Sequence, residues 1–173
     1  MSRVATPSPD LAIQRVGILH PDALALIAEV QAEYVVRYGG PDDTPLEPTM
    51  FEPPQGAFYV GYVDRQPTAT GAWRRHDPVA GVPDAPCAEI KRMYVGAAHR
   101  RLGLARVMLA HLEREARSAG AATMILETGL RQPEAIDLYT SSGYLPIPGF
   151  GFYRDAPLSR CFAKPLSGHV TRS

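Results

Sequence analysis

The chain has 173 residues, a length that suits one domain with a substantial apolar core. Hydrophobic residues make up 45% of it and charged residues 21%, as in ordinary globular domains. The formal net charge is zero, so bulk charge gives no argument for binding nucleic acid or an anionic membrane, and no long uncharged apolar run predicts a transmembrane helix.

The two ends of the chain and its cysteines indicate a single cytoplasmic domain. Residues 1–10 lack an apolar signal core and are predicted to be a flexible tail, as are residues 167–173, which leaves residues 11–166 as the domain. Cys87 and Cys161 lie far apart without metal-type spacing, which favours two reduced thiols. The histidines show no metal-ligand spacing either, so we expect no metal.

The first half of the chain is predicted to form a strand, a helix and an antiparallel hairpin. Pro21 suits the first turn of a helix and Asp22 its positive end, and apolar residues then follow helical spacing until Gly39. A loop rich in prolines and acids comes next, and two alternating segments flank a turn. The predicted strands are residues 11–16, 56–63 and 68–74.

The second half is predicted to alternate strands with helices. A strand over residues 87–95 precedes a glycine-bearing turn and a helix over residues 102–119, whose apolar face is Leu104, Ala105, Met108, Leu109, Leu112 and Ala116. A central strand over residues 121–128 follows, then a helix that begins at Pro133 and ends at Gly143, and two strands over residues 144–148 and 160–164. This order predicts an α/β (α+β layered) domain on a mixed sheet.

The turn between the 87–95 strand and the following helix is suited to holding an anion. It reads Arg100-Arg101-Leu102-Gly103-Leu104-Ala105. The first amides of a helix have no intrahelical acceptor, and the helix dipole places partial positive charge at that end. Gly103 permits close approach to the backbone, and arginines suit phosphate groups. We therefore expect a phosphorylated ligand here, and the missing GxxxxGK[ST] pattern argues against a P-loop nucleotide site.

Two motifs in this part of the chain resemble those of the GNAT superfamily of acyl-CoA-dependent N-acetyltransferases. Arg100, Gly103 and Ala105 match the first motif: Gln or Arg, two residues, Gly, one residue, then Gly or Ala. About thirty residues later, the helix with Leu138-Tyr139 and the following Gly143-Tyr144 resemble the second. The resemblance covers roughly residues 87–148. It implies a mixed, mostly antiparallel sheet of about seven strands flanked by about four helices.

The chain departs from the family pattern at three positions. Many members have Pro where Ala97 stands and Gly where Arg101 stands, which puts a side chain on the pyrophosphate loop. Members often carry Asn where this chain has Gln132, and we assign no role to that amide.

The resemblance implies that acetyl-CoA is the co-substrate and that a primary amine is the acceptor. The pantetheine arm is expected to lie along the strand before the turn, and the pyrophosphate over the turn. The expected acetyl-CoA contacts are Met93, Tyr94, Val95, Arg100, Arg101, Leu102, Gly103, Leu104 and Ala105. An amide on the same strand, Met93 or its neighbour, is expected to stabilise the oxyanion. The resemblance also leaves a homodimer open.

Tyr139 and Glu89 are the predicted catalytic residues. A phenol titrates near pH ~10, so Tyr139 is protonated at neutral pH and suits delivery of a proton to the leaving thiolate. The alternative for Tyr139 is an aromatic core residue. Glu89 lies on a strand with apolar neighbours, where burial raises a carboxylate pKa towards the range of a useful base, acting directly or through water. Its alternative is an ion pair with Lys91 or Arg92.

The acceptor site is predicted to be aromatic, which favours a small amine over a polybasic tail. Its candidate residues, each open to a core role instead, are Tyr34, Tyr38, Phe51, Trp73, Phe152 and Tyr153. The neighbouring Arg74, Arg75 and His76 are expected in a solvated loop. Three functions stay open: acetylation of a small-molecule or peptide amine, protein N-terminal or lysine acetylation, and acyl-CoA sensing without turnover.

Overall fold

The computed structural model describes residues 9–45 and 47–166, so most of the predicted N-terminal tail and all of the predicted C-terminal tail lie outside the described residues. The described strands are β1 (Ala12–Val16), β2 (Gly56–Val63), β3 (Gln66–His76), β4 (Cys87–Val95), β5 (Thr123–Gly129), β6 (Leu145–Ile147) and β7 (Ser159–Pro165). The described α-helices are α1 (Pro21–Tyr38), α2 (Leu104–Ser118) and α3 (Pro133–Ser141).

These elements confirm the predicted fold class and correct the number of helices. The seven strands form one sheet in the order β1-β2-β3-β4-β5-β7-β6. Its pairs are antiparallel except for β4 with β5, which are parallel. The described residues contain three α-helices and not about four. Two short 3-10 helices, Pro48–Phe51 and Ala97–His99, lie in the connections after α1 and after β4.

The largest boundary difference is in β3, which is longer than predicted. Asp64 and Arg65 both have positive φ, 47° and 65°, so they form a two-residue turn and the strand resumes at Gln66. At the other end β3 continues to His76, because residues 74–76 pair with residues 87–89 of β4. The expectation of a solvated loop over residues 74–76 is therefore wrong.

Two helices cover opposite faces of the sheet. The apolar side of α2 packs on one face, with Met108, Leu109, Leu112 and Ala116 in the same buried cluster as Ala88 and Ile90 of β4. On the other face, Ala23, Leu26 and Val30 of α1 pack against Phe58, Val60, Ala72 and Tyr94. Full burial of such side chains contributes about 1.5–3 kcal/mol each, so these two layers hold the sheet between them.

The parallel strands β4 and β5 separate partway along their length. They pair only at Cys87 with Thr123, Ala88 with Met124 and Glu89 with Ile125. Beyond these positions β4 continues to Val95 and β5 continues to Gly129. Backbone groups on the facing edges therefore lack a strand partner among the described residues, and a cleft opens through the middle of the sheet.

A β-bulge interrupts β4 at the start of this cleft. Lys91 pairs with Ala72 and Tyr94 with Thr70, so Arg92 and Met93 lie opposite the single Gly71. Arg92 has a φ of 55°, which is uncommon for a residue with a Cβ. The extra residue changes the alternation of side chains along the strand.

Candidate active site

The turn before α2 has the geometry of an anion site. Gly103, with a φ of 77°, is the N-cap of α2 and leaves the helix without a side-chain cap. Arg101 has a φ of 64°, and residues 101–103 are exposed. The amides of the first turn are thus available to an external acceptor at the positive end of a 15-residue helix. Binding of a phosphate group at this turn stays a prediction.

Arg100 differs from that expectation in where its side chain points. Its Nε donates to the Val95 carbonyl at 3.0 Å, and its Nη2 makes an ion pair with Glu33 of α1. The guanidinium also lies 5.6 Å from the centre of the Tyr94 ring. The side chain therefore fastens the turn to α1 and β4, and its positive charge is already partly neutralised.

Tyr139 lies at the opened end of the β4–β5 pair. It is a buried residue of α3 and packs edge-on against Tyr144, with ring centres 5.6 Å apart. Burial raises the pKa of Tyr139 well above that of a free phenol, and Tyr34 of α1 raises it further. Tyr34 packs with the α1 cluster and Tyr139 with the α2 cluster, so this electrostatic interaction joins the two sides of the sheet.

Glu89 is buried in an ion-pair network. Its Oε2 accepts a hydrogen bond from the Arg74 Nε at 2.9 Å and lies 2.7 Å from the Arg74 Nη2. Its Oε1 lies 3.0 Å from the Lys91 Nζ. The side chain is only 3% exposed. The sequence offered Lys91 as one alternative partner, and the longer β3 adds Arg74, which the sequence placed in a loop. Two cations therefore hold this carboxylate in place.

The structure presents a second carboxylate that the sequence analysis missed. Glu127 of β5 is half-buried, and its Oε1 accepts a hydrogen bond from the Ser159 hydroxyl at 3.2 Å. Burial raises its pKa to about 7, opposed by Lys91 and Ser159 and assisted by Asp42 and Glu89. It follows the last β4–β5 pair by two residues, so it borders the cleft. The only sequence signal for Glu127 was its position directly after the apolar run of residues 124–126.

The bulge in β4 brings two cations to the same face of the sheet. Lys91 contacts Glu89, and the Arg92 Nη1 lies 3.9 Å from the Asp42 Oδ2 in the loop after α1. Asp42 itself is held by Thr44, whose amide and hydroxyl donate to its Oδ1 at 2.9 and 2.6 Å. Although burial raises the pKa of Asp42, these hydrogen bonds and the charges of Arg92 and Lys91 lower it overall.

Three of the predicted acceptor residues meet around this cluster. Tyr34 and Tyr38 contact each other with ring centres 6.2 Å apart, and burial followed by the Asp42 charge raises the pKa of Tyr34 to about 12. The Tyr153 hydroxyl donates to the Asp42 Oδ1 at 3.1 Å and accepts from the Asp43 amide at 2.8 Å. These three tyrosines form an aromatic wall beside Arg92.

The other predicted acceptor residues lie elsewhere. Trp73 is buried under α2, on the opposite face of the sheet, and its Nε1 donates to the Tyr59 hydroxyl at 3.4 Å. Phe51 is buried against Phe58 under α1. Trp73 is a core residue because alternation along β3 directs its side chain towards α2, and Phe51 packs into the α1 cluster from the short 3-10 helix after α1. Phe152 is 58% exposed and stacks edge-on against Tyr153 at the surface.

The C-terminal end of α1 is fastened to the loop between β5 and α3. Arg37 pairs with Glu134 and donates to the Arg131 carbonyl at 3.0 Å, and Arg131 donates to the Arg37 carbonyl at 2.8 Å. Gly129 allows this approach, because a Cβ there would lie 1.9 Å from the Tyr38 hydroxyl. These contacts hold α1 over one end of the cleft.

Residues 9–45 and 47–166 contain neither a metal-binding cluster nor a membrane-spanning helix. No group of three or more His, Cys, Asp or Glu side chains is arranged to hold a metal ion there. None of the helices in this range combines the length and apolar character that crossing a bilayer requires.

Sequence comparisons place this geometry in a family. The model of the acetyltransferase (GNAT) family matches residues 25–144. An IAA acetyltransferase of Azospirillum brasilense is 41% identical over 78 residues, which are 45% of this chain and 51% of that protein. N-acetyltransferase YsnE of Bacillus subtilis is 33% identical over 128 residues, 68% of this chain and 84% of that protein. The chain thus spans about half the length of the first relative and most of the second.

A solved structure agrees with these matches. A protein assigned as an acyl-CoA N-acyltransferase from Klebsiella pneumoniae superposes with a TM-score of 0.72 at 28% identity, covering 91% of this chain and 98% of that one. This superposition spans nearly the whole of both chains. Together with the family match over residues 25–144, it shows that the chain belongs to the GNAT family of acetyltransferases.

Proposed function

We propose that this chain is an N-acetyltransferase that transfers the acetyl group of acetyl-CoA to a primary amine of a small molecule or peptide. The observation that carries the proposal is the cleft between β4 and β5, with the uncapped N-terminus of α2 on one side and a group of tyrosines and charged residues on the other. Both substrates have a matching surface, and the two surfaces meet at Tyr139.

The turn from Arg100 to Ala105 binds the pyrophosphate of acetyl-CoA through its free amides. The pantetheine arm lies along the unpaired edge of β4, beside Met93, Tyr94 and Val95, where backbone groups replace the missing pairing with β5. An amide on this edge donates to the thioester oxygen as negative charge develops there. A preorganised donor of this kind contributes about 2.7–4 kcal/mol to lowering the barrier.

The acceptor amine attacks the thioester carbonyl, a C–N bond forms, and the C–S bond breaks. Tyr139 delivers a proton to the departing thiolate, and its raised pKa keeps it protonated at neutral pH. The attacking nitrogen loses a proton to a carboxylate, directly or through water. We assign that role to Glu127 in preference to Glu89, because Glu127 is less tightly paired and has a pKa near 7.

The experiment is release of free thiol from acetyl-CoA in the presence of amines, amino acids, antibiotics and peptides. Acceptor-dependent release from a small amine or amino acid supports the proposal. Release only with protein N-termini or lysine peptides would instead support the protein acetyltransferase. Binding of acetyl-CoA without release with any acceptor would support an acyl-CoA sensor and contradict catalysis.

Buried thiols at Cys87 and Cys161, which form no disulfide, support the expectation of a cytoplasmic protein. A homodimer remains a prediction for a measurement of mass in solution.

A further inference from the structure

Arg92 is a buried cation with two guanidinium nitrogens that lack a hydrogen-bond partner among the described residues. Its side chain is 9% exposed, and neither Nε nor Nη1 has a hydrogen-bond partner among the described residues. A buried guanidinium normally donates to a carboxylate or to carbonyl groups, because leaving its N–H groups unpaired costs free energy. The positive φ of Arg92 adds to that cost, so the fold maintains an unfavourable arrangement at this one position.

The nearby carboxylates are all engaged by other groups. Asp42 approaches the Nη1 only to 3.9 Å, while its Oδ1 accepts from Thr44 and from Tyr153. Glu89 is held by Arg74 and Lys91. Glu127 accepts from Ser159. Arg92 therefore has the Asp42 carboxylate within 3.9 Å, while its Nε and Nη1 have no hydrogen-bond acceptor among the described residues.

Arg92 lies on the side of the cleft where the acceptor substrate is expected. The bulge turns it towards α1, and its charge lowers the pKa of both Asp42 and Tyr34, which places it among the residues of the aromatic wall. Glu127 approaches the same group from β5, since Tyr34 and Asp42 both interact with it. The guanidinium thus lies 3.9 Å from the Asp42 carboxylate, and Glu127 interacts electrostatically with both Asp42 and Tyr34.

We propose that Arg92 binds a carboxylate of the acceptor, and that the acceptor is a small amino acid whose amine faces Glu127. This inference rests on the proposed acetyltransferase function and names its substrate class. An arginine and a carboxylate form strong, directional hydrogen bonds. The zwitterion adds no net charge to the cluster: its carboxylate supplies the acceptor that Arg92 lacks, and its ammonium group suits Asp42 and Glu127. A phosphate dianion would instead be repelled by these two carboxylates.

The test compares free α-, β- and γ-amino acids with their uncharged amides and with the amines that lack the carboxylate. Thiol release from acetyl-CoA is measured for wild type, Arg92→Met, Arg92→Lys and the control Arg114→Gln, an exposed arginine of α2 on the opposite face. The wild type is expected to use an amino acid at least about a hundredfold better in kcat/KM than its amide. Arg92→Met is expected to abolish that preference, Arg92→Lys to retain part of it, and Arg114→Gln to retain all of it.

Two further measurements separate this role from a structural one. Arg92→Met should keep or raise the melting temperature, because it removes an unsatisfied buried charge, and it should leave acetyl-CoA affinity unchanged. A fall in melting temperature with the preference for carboxylates intact would overturn the inference and make Arg92 a structural residue.

Failure of the inference and failure of the proposed function give different results. If amines and amides are acetylated as well as the amino acids, the acetyltransferase proposal holds and the role of Arg92 is wrong. If no compound is acetylated, the same panel is titrated calorimetrically into the protein with CoA. Binding of amino acids that Arg92→Met abolishes would then support the carboxylate site without catalysis, and absence of such binding would overturn it.

Discussion

Replacing Glu127 by glutamine removes a carboxylate that the fold holds partly protonated at neutral pH. Burial raises its pKa from 4.5 to about 7, although Lys91 and Ser159 oppose the shift and Asp42 and Glu89 assist it. Burial disfavours the ionised form of Glu127 in the native state. The stability that the protonated side chain contributes below pH 4.5 is therefore lost as the pH rises through about 7. A shift of this size corresponds to about 3 kcal/mol, and screening of a half-buried group reduces it to about 2 kcal/mol.

Glu127→Gln keeps the shape of the side chain and an oxygen for Ser159, so it is expected to remove this cost without leaving a cavity. The variant should match the wild type in stability near pH 4.5 and exceed it by about 2 kcal/mol at pH 8, or about 4–8 °C in melting temperature. Thermal melts from pH 4.5 to 9 measure the difference. Equal melting temperatures at pH 8 would refute the burial argument.

The same variant tests catalysis. The pH profile of wild-type kcat/KM is expected to rise through a limb near pH 7, because the base must be ionised. Glu127→Gln should lose that limb and about 10²–10⁴-fold in rate. An unaltered pH profile would assign the base to another group or to water.

Three other changes address the remaining roles. Glu89→Gln leaves two buried cations without their carboxylate and should lower the free energy of unfolding by about 3–5 kcal/mol in urea titrations; an unchanged stability with loss of kcat would restore Glu89 as the base. Tyr139→Phe should lower kcat with little effect on acetyl-CoA affinity, whereas Tyr144→Phe on the neighbouring ring should retain kcat, and equal turnover in all three proteins would reject the proton donor. Arg100→Ala and Glu33→Gln should each weaken acetyl-CoA binding about two- to tenfold, because either change frees the turn; a loss confined to Arg100→Ala would indicate direct contact with phosphate.

Local sequence signals predicted most of the fold. Pro21 and Gly39 bracket α1 as expected, and the apolar spacing of Met108, Leu109 and Leu112 predicts the buried face of α2. These features depend on residues a few positions apart, for which periodicity and end signals are informative. The error in β3 has the opposite origin: residues 74–76 look like a loop by composition, and only pairing with residues 87–89 makes them a strand.

The candidate site was predicted less completely. The turn around Gly103 and the position of Tyr139 follow from motifs. The roles of Glu89 and Glu127 do not, because both are acidic residues on apolar strands and the difference between them lies in their partners. Arg74 reaches Glu89 from a neighbouring strand, whereas the hydrogen-bond partner of Glu127 among the described residues is the Ser159 hydroxyl.

The sequence by itself determined the order of the elements, the turn that is predicted to bind an anion and the similarity to acyl-CoA-dependent acetyltransferases, since each depends on contiguous residues. The tertiary structure alone decided which charged side chains are paired with one another and which guanidinium nitrogens of Arg92 have no acceptor among the described residues. The separation of β4 from β5 and the bulge at Arg92 arise from pairing between distant strands, and they place Arg92, Glu127 and Tyr34 in one group. Burial and pairing energies depend on that three-dimensional arrangement, so the acceptor side of the site is readable only from the folded chain.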